Sequence, residues 1–219
     1  QRFDLTSDKR YTLNEAAVQT IESVESPIII DVFLDGSNLP TEFRRLQMET
    51  KQLLDEFAAK NHHIAYNFIN PLENNDTRDR NIEQLSNRGL TPMQMSVKES
   101  GKTNTKIIFP WALASYNGQT VKIKLVKSKL QETQQDLVSN SIQHLEYAFA
   151  DGFSKLVFPK KRKIAFLRGN GQLEDKYVAD FIRTLRDYYY IAPFTLDSVS
   201  NNAQKTLNDL KTFDLIVSA

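Results

Sequence analysis

The sequence of 219 residues predicts an α/β protein with two consecutive domains. Three observations support this. Short runs rich in β-branched residues alternate with longer amphipathic segments, hydrophobic and charged contents of 40% and 25% are typical of globular proteins, and the composition changes abruptly at the basic run 159–163. We expect an N-terminal extension with a short helix over 1–26, a first domain over 27–157, and the start of a second domain over 158–219.

The N-terminal half of the first domain predicts a strand, a helix and a strand in succession. Before it, Thr12-Leu13-Asn14-Glu15 fits a capping box with Thr12 as the N-cap, which predicts the short helix of the extension. Residues 27–34 predict a buried strand, and a turn at 35–40 separates it from a helix over 42–60. Residues 63–69 predict the next strand. Six residues of the helix share one face: Phe43, Leu46, Thr50, Leu53, Leu54 and Phe57.

The rest of the first domain predicts a helix at 80–87, a strand at 93–98, a turn at 99–104, strands at 105–116 and 119–126, and a helix at 133–150. The last two strands flank Asn117-Gly118, which is the strongest short-range signal for a hairpin. Pro110 interrupts the first of them and indicates an edge, a bulge or a break at that point.

This order of elements is that of a thioredoxin-like fold, in which the loop after the first strand carries a reactive cysteine pair. The equivalent loop here, 35–40, has no cysteine, and neither does the rest of the chain. Disulfides, thiolate nucleophiles and zinc–thiolate sites are therefore excluded. We expect the frame to serve shape and contact rather than electron transfer. Thr91-Pro92 stands where this fold commonly has a cis-proline, and we hypothesise a cis peptide bond there.

The second domain alternates strands and helices, predicted at 164–167, 174–189, 191–196, 201–211 and 215–217. Short connections between alternating elements predict a parallel, doubly wound sheet. We interpret this as the partial start of a flavodoxin-like or amidotransferase-like domain. A strand that reaches the last residue suggests a piece excised from a longer protein.

Charge and hydropathy exclude several classes of partner. With 28 basic and 27 acidic residues the net charge is +1, which gives no general attraction to nucleic acid or anionic lipid. No run of about 18 apolar residues is present, so we expect no segment to span a bilayer. The chain begins without a secretory signal pattern, and we expect any membrane tether to lie outside it.

Loop 168–172 and the histidines are the first candidate sites. The loop lies between a strand and a helix, where doubly wound folds hold phosphate. It resembles the first half of a GxGxxG run, but Glu174 replaces the third glycine and would repel phosphate, so we expect a plain tight turn. His62 and His63 should point to opposite faces of an extended segment, and His144 has no second histidine one turn away. We therefore expect no metal site.

Two further features have a structural and a functional interpretation. The basic run 160–163 could contact lipid headgroups or an acidic partner, but four residues between domains more often form a solvated linker. Tyr188, Tyr189 and Tyr190, with Phe194 nearby, could present an aromatic surface, although we expect at least two of these rings to pack in the core. No GxSxG elbow exposes a nucleophile. No residue is predicted to be catalytic, to bind a cofactor or to bind a metal.

Five stretches of the sequence are characteristic in their order and spacing: RFDLT at 2–6, KRYTL at 9–13, FRRLQ at 43–47, FINPL at 68–72 and IFPWA at 108–112. Together they resemble GldG, the auxiliary protein family of gliding-motility ABC transporters, over essentially the whole chain. The resemblance implies an extracytoplasmic domain tethered to the inner membrane of a Bacteroidota-type bacterium. It also implies a permease subunit and a cytoplasmic ATPase subunit as partners. The second half is similar to the amidotransferase-like domain shared with intraflagellar-transport proteins, where it has no catalytic role.

The leading hypothesis is a non-catalytic periplasmic module of such a transporter that acts by protein–protein interaction. Other envelope motility or secretion proteins are further candidate partners. The turn 35–40 and the hairpin edge around Pro110 are the surfaces that we expect to make contact. The alternative is a receptor that captures a small molecule or glycan between the two domains, in a cleft lined by tyrosine and Trp111. An enzyme would need convergent titratable groups in one pocket.

Overall fold

The computed structural model describes residues 13–36, 39–99, 102–128, 132–158, 160, 162–168, 175–195 and 203–218. Helices alternate with parallel and antiparallel strands in this part of the chain, which confirms the predicted α/β class. The chain forms two compact units, Gln1–Val157 and Phe158–Ala219.

The described elements of the first unit, in chain order, are α1 (Glu15–Glu22), β1 (Ile28–Val32), α2 (Thr41–Lys60), β2 (Ile64–Phe68), α3 (Arg78–Asn87), β3 (Met93–Glu99), β4 (Lys102–Ile108), β5 (Trp111–Tyr116), β6 (Gln119–Lys124) and α4 (Gln134–Val157). Four strands form a sheet in the order β2-β1-β5-β6, in which β1 and β2 are parallel and β5 and β6 are antiparallel to their neighbours. This is the strand order of the thioredoxin-like fold predicted above. The hairpin β3–β4 forms a separate two-stranded sheet, inserted between α3 and β5.

The main core lies between the four-stranded sheet and helices α1, α2 and α4. All six residues predicted to share one face of α2 are buried, because a helical period of 3.6 places them on a single stripe. The ring of Phe57 in that stripe packs edge-on against Phe153 of α4, with centroids 5.4 Å apart. Thr50 is the polar member, and its hydroxyl donates to the Leu46 carbonyl at 2.7 Å, so its burial leaves no unpaired donor.

Several local predictions for the first unit change in the structure. The N-cap of α1 is Asn14, whose side-chain oxygen accepts from the amide of Ala17 at 2.8 Å, and Thr12 lies outside the described residues. The Thr91–Pro92 peptide bond is trans, so the cis hypothesis is wrong. The turn predicted at 99–104 is shorter, because β4 already begins at Lys102. The chain does break at Pro110, between β4 and β5.

The second unit contains β7 (Lys163–Arg168), α5 (Asp175–Arg186), β8 (Tyr190–Thr195), α6 (Ala203–Leu210) and β9 (Leu215–Ser218). Its three strands are parallel and lie in the order β8-β7-β9, which confirms the predicted parallel sheet. A strand order of 2-1-3 is the one with which a flavodoxin-like sheet begins. Its core is small and centres on Phe166, Val178 and Ile182.

None of the helices in the described part of the chain combines the length and apolar character needed to cross a bilayer.

Candidate functional site

A cleft of about 1010 Å³ opens in the first unit beside the carboxyl ends of the parallel strands β1 and β2. Its lining comes from three parts of the chain. The first two are Phe33, Asp35, Gly36 and Leu39 after β1, and residues 68–73, 75 and 78 between the end of β2 and the start of α3. The third is residues 104–109, from β4 and the position that follows it. In open α/β sheets, ligands bind in the crevice outside the carboxyl ends of the strands. This cleft occupies that position, and it is the place where thioredoxin-like folds carry their reactive loop.

The loop after β1 is held in place by main-chain contacts and by a glycine. The amide of Phe33 donates to the Trp111 carbonyl at 2.9 Å, which continues the pairing of β1 with β5. Gly36 has a φ of +127°, a conformation that side chains with a Cβ rarely adopt. A Cβ at this position would lie 2.9 Å from Nδ2 of Asn70, so a larger residue could enter only by displacing that side chain.

The opposite wall follows β2 and is fixed by two asparagines. Asn70 Oδ1 accepts from the amide of Leu72 at 3.0 Å, a turn that asparagine forms readily. Asn81 of α3 donates from Nδ2 to the carbonyl of Pro71 at 2.9 Å, which ties the loop to the helix. The wall is therefore rigid although it is a loop.

The floor of the cleft is apolar. Phe33 and Phe109 both line the cleft and belong to a second hydrophobic cluster beneath it, separate from the main core. Leu72 and Ile107 pack against that cluster from the two walls. Phe33 and Phe109 are themselves buried, so a guest in the cleft would meet Ile69, Leu72 and Ile107, which are partly exposed.

The rim carries both signs of charge. Asp35 and Glu73 are acidic, and Arg78 and Lys106 are basic. Asp35 is already oriented, since its Oδ1 accepts from Gln47 Nε2 at 2.6 Å. Two charges of each sign give no strong attraction to a small anion or cation. Hydrogen bonding and apolar contact are thus the interactions that the cleft offers.

The wall formed by β4 is the edge of a sheet. All residues from Asn104 to Phe109 line the cleft in succession. If one face of a strand lined it, only alternate residues would do so, because successive side chains point to opposite faces. Within the described residues β4 pairs with β3 alone, so no described strand occupies its other edge.

The structure joins the two surfaces that the sequence singled out. Asp35, Gly36 and Leu39 of the predicted turn line the cleft, and Phe109, next to Pro110, lines it too. Residues 37 and 38 of that turn lie outside the described residues. Sequence reasoning did not identify the asparagine wall. The rule that the ends of parallel strands are neighbours would have indicated it, since Asn70 directly follows the second predicted strand.

The histidines are arranged differently from the prediction. The rings of His62 and His63 lie 4.2 Å apart, so they do not point to opposite faces. They occupy the turn before β2 rather than an extended segment, which explains the error. His144 lies in α4, where burial and the nearby Lys127 lower its pKa below the ordinary value despite an opposing contribution from Asp151. The described residues contain no group of three or more possible metal ligands.

The candidates in the second unit have mixed outcomes. Residues 169–174, which include most of the predicted glycine turn, lie outside the described part of the chain. The basic run is not only a linker, because Lys163 is the first residue of β7 and Lys160 donates from Nζ to the Arg186 carbonyl.

The aromatic residues of the second unit differ from expectation in part. Tyr188 and Tyr190 are 39% and 56% exposed, so the expected core packing is not observed for them. Tyr189 is half-buried, and the side chain of Phe194 lies outside the described residues.

A charged cluster on the exposed side of α2 was also missed from the sequence. Lys51 Nζ donates to Asp55 Oδ2 at 2.8 Å, and the hydroxyl of Tyr66 in β2 donates to the other carboxylate oxygen. Burial and the bond to Asp55 raise the pKa of Tyr66. Burial acts to raise the pKa of Asp55, but the hydrogen bonds from Lys51 and Tyr66 outweigh it and lower that pKa. Lysine and aspartate four residues apart on a helix were the available signal.

Comparison with known families places the cleft inside one matched segment. Residues 7–115 match a family model described as a domain of unknown function, DUF7088. That segment contains every residue that lines the cleft. No curated protein and no solved structure matches the chain.

Proposed function

We propose that this chain is a non-catalytic extracytoplasmic module of an ABC-transporter auxiliary subunit associated with gliding motility, and that it acts by binding other proteins. The permease and the cytoplasmic ATPase of the same transporter are the proposed partners, together with other envelope motility or secretion proteins. The module would lie on the periplasmic face of the inner membrane. The resemblance of five sequence stretches to the GldG family supports this transporter context.

The cleft is the observation that supports a binding role. It stands at the carboxyl end of β1, where a thioredoxin-like fold carries its redox chemistry, but the chain contains no cysteine. The described lining residues include no histidine either, so they hold no serine–histidine or cysteine–histidine pair of nucleophile and base. What they do offer is a packed apolar floor, a rigid asparagine wall and the edge of a strand. Those are properties of a surface that recognises another molecule by contact.

A protein fits this cleft better than a small ion or cofactor does. Pockets for small molecules usually measure about 300–1,000 Å³ and present a few convergent polar groups. This cleft, at about 1010 Å³, lies at the upper end of that range and spreads its charges of both signs along the rim. A mixed rim around an apolar floor resembles the anatomy of a protein–protein interface.

A receptor for a glycan is the second candidate. The side chains of Asn70, Asn75 and Asn104 line the cleft, and amides can both donate to and accept from sugar hydroxyls. The expected tyrosine and Trp111 are not among the described lining residues. Trp111 instead donates from Nε1 to the Thr91 carbonyl at 2.8 Å.

Charge reversal on the cleft rim tests the proposal. The full-length protein, solubilised from its native membrane, is used to capture the permease and the ATPase. Glu73→Lys and Lys106→Glu should each reduce the captured amount at least fivefold. Exposed residues of the same unit that do not line the cleft supply the matched controls Glu25→Lys and Lys60→Glu, which should capture as the parent does. All four variants should melt within about 2 °C of the parent, because surface substitutions change stability little.

Two outcomes would contradict the proposal. If the rim variants and the controls captured equal amounts, the cleft would not be the contact surface. If the purified protein were instead stabilised by oligosaccharides, with a rise in melting temperature that depends on their concentration, the glycan receptor would replace it.

A further inference from the structure

We propose that the cleft receives an extended segment of the partner polypeptide, which pairs through the main-chain groups of Thr105 and Ile107 with the edge of β4 opposite β3. The inference rests on the proposed function, because it names the form in which the partner binds. It is carried by four features of the structure: the edge opposite β3, its regular register, the orientation of its main-chain groups and the apolar floor beside it.

The edge is long and regular enough to serve as a template. β3 and β4 pair without interruption from Met93↔Ile108 to Glu99↔Lys102, so no bulge distorts β4. Natural edge strands are commonly protected by lysine, by proline or by bulges. β4 contains Lys102 and Lys106 but no proline, because Pro110 stands only after the strand has ended. The five residues from Asn104 to Ile108 line the cleft, and at about 3.3 Å per residue they extend for roughly 15 Å. A guest strand of about five residues matches that length.

The orientation of the main-chain groups follows from a contact on the far side of the hairpin. In an antiparallel pair, two opposite residues either both turn their N–H and C=O groups toward each other or both turn them away. The carbonyl of Ser96 accepts from Nε2 of Gln134 in α4, at 3.5 Å, and is therefore turned away from β4. Its register partner is Thr105. The N–H and C=O of Thr105, and two residues later those of Ile107, thus point to the edge that lines the cleft.

The floor supplies contacts for side chains of the guest. A strand paired with β4 points alternate side chains to one face, as every strand does. The partly exposed Ile69, Leu72 and Ile107 line the cleft together with the buried Phe33 and Phe109. In complexes formed by strand addition, main-chain bonds provide affinity and pockets for alternate side chains provide specificity. The guest is therefore an extended segment with apolar residues at every second position.

The experiment uses peptides that tile the extracytoplasmic segments of the cognate permease, with binding to the full-length protein measured by fluorescence anisotropy. The tightest peptide is then N-methylated at one residue at a time. Strand pairing predicts a loss of affinity of at least tenfold at alternate residues and little change between them. A guest bound as a helix or through side chains alone would show no such period of two.

Proline substitutions in the protein provide a matched pair. Thr105→Pro removes an N–H from the cleft edge, and Ser96→Pro removes one from the opposite edge of the same hairpin. Neither N–H belongs to the β3–β4 ladder, so both variants should fold. Thr105→Pro should abolish peptide binding, whereas Ser96→Pro should leave it unchanged. Amide exchange in the unbound parent should be faster at Thr105 than at Lys106, and peptide binding should slow exchange at Thr105.

The outcomes separate this inference from the proposed function. Equal peptide affinities for the two proline variants, or N-methylation losses without alternation, would overturn strand pairing even if the permease is still captured. Capture of the permease without binding of any tiled peptide would overturn it as well. Failure of the rim variants to alter capture would count against the proposed function itself. Should Thr105→Pro fail to fold, the N-methylation pattern still decides the question.

Discussion

Replacing Gly36 with alanine should destabilise the first unit by about 1–4 kcal/mol, because the new Cβ meets two separate obstacles. The φ of +127° is unfavourable for alanine and contributes about 1–3 kcal/mol of strain. The Cβ would also lie 2.9 Å from Asn70 Nδ2 and displace that side chain. Moving it weakens the bond from the Leu72 amide to Asn70, which contributes about 0.5–1.5 kcal/mol. Alanine also lowers the conformational entropy of the unfolded chain, which stabilises the folded state by about 0.4–1 kcal/mol and offsets part of the loss.

Urea denaturation measures this cost. Trp111, the single tryptophan of the chain, lies in β5, so its fluorescence reports on the first unit. With a denaturant slope of about 2 kcal/mol per molar urea, the midpoint for Gly36→Ala should fall by about 0.5–2 M. In an Asn70→Ala background the steric obstacle is gone and only the strain remains. The two substitutions should therefore cost less together than separately, by about 0.5–1.5 kcal/mol.

Gly118→Ala is the matched control. Gly118 also has a positive φ, +77°, but an added Cβ there would meet no atom within 4 Å. Its substitution should show strain alone, and its cost should be the same with or without Asn70→Ala. The reasoning fails if Gly36→Ala leaves the urea midpoint unchanged. It also fails if the free-energy costs of Gly36→Ala and Asn70→Ala add in the double variant as fully as those of Gly118→Ala and Asn70→Ala do.

Two further predictions concern helix α4. An added Cβ at Gly152 would lie 2.7 Å from Cδ1 of Ile123. Gly152→Ala should therefore destabilise the parent by up to about 2 kcal/mol, because this crowding outweighs the gain in helix propensity. In an Ile123→Ala background the same change should stabilise by up to about 1 kcal/mol, and an equal sign in both backgrounds would refute the crowding. The pKa of His144 is lowered by burial, so between that pKa and the ordinary value of 6.5 the unfolded chain binds more protons. Stability should therefore fall as pH decreases below 6.5. Urea midpoints measured across this pH range should fall less for His144→Gln than for the parent. An NMR titration that places the pKa of His144 above 6.5 would contradict this prediction.

Periodicity was sufficient to predict the elements and their buried faces. All six residues predicted for the apolar face of α2 are buried, because a helix brings residues three and four apart to one side whatever it packs against. Asn117 and Gly118 form the predicted turn with φ values of +48° and +77°, a conformation that these two residue types adopt most readily. Both features depend on interactions among residues close in sequence.

Predictions failed where a neighbour distant in sequence or an irregular segment decided the outcome. His62 and His63 were assigned an extended conformation, but the chain turns there, and the two rings meet. The peptide bond before Pro92 was hypothesised to be cis by analogy with related folds, yet it is trans. At least two of the rings of Tyr188, Tyr189, Tyr190 and Phe194 were expected to pack in the core. Tyr188 and Tyr190 are exposed, because hydrophobicity alone does not determine which large side chains are buried.

By itself, the sequence determined the α/β class, the parallel sheet of the second unit, an irregularity at Pro110 and the lack of any thiol chemistry, since these follow from local periodicity and composition. Only the tertiary structure decided that the loop after β1, the asparagine wall after β2 and the edge of β4 enclose one cleft. The reason is physical: strand order and the placement of the inserted hairpin depend on how faces pack across the sheet, and no local pattern records which loops will meet.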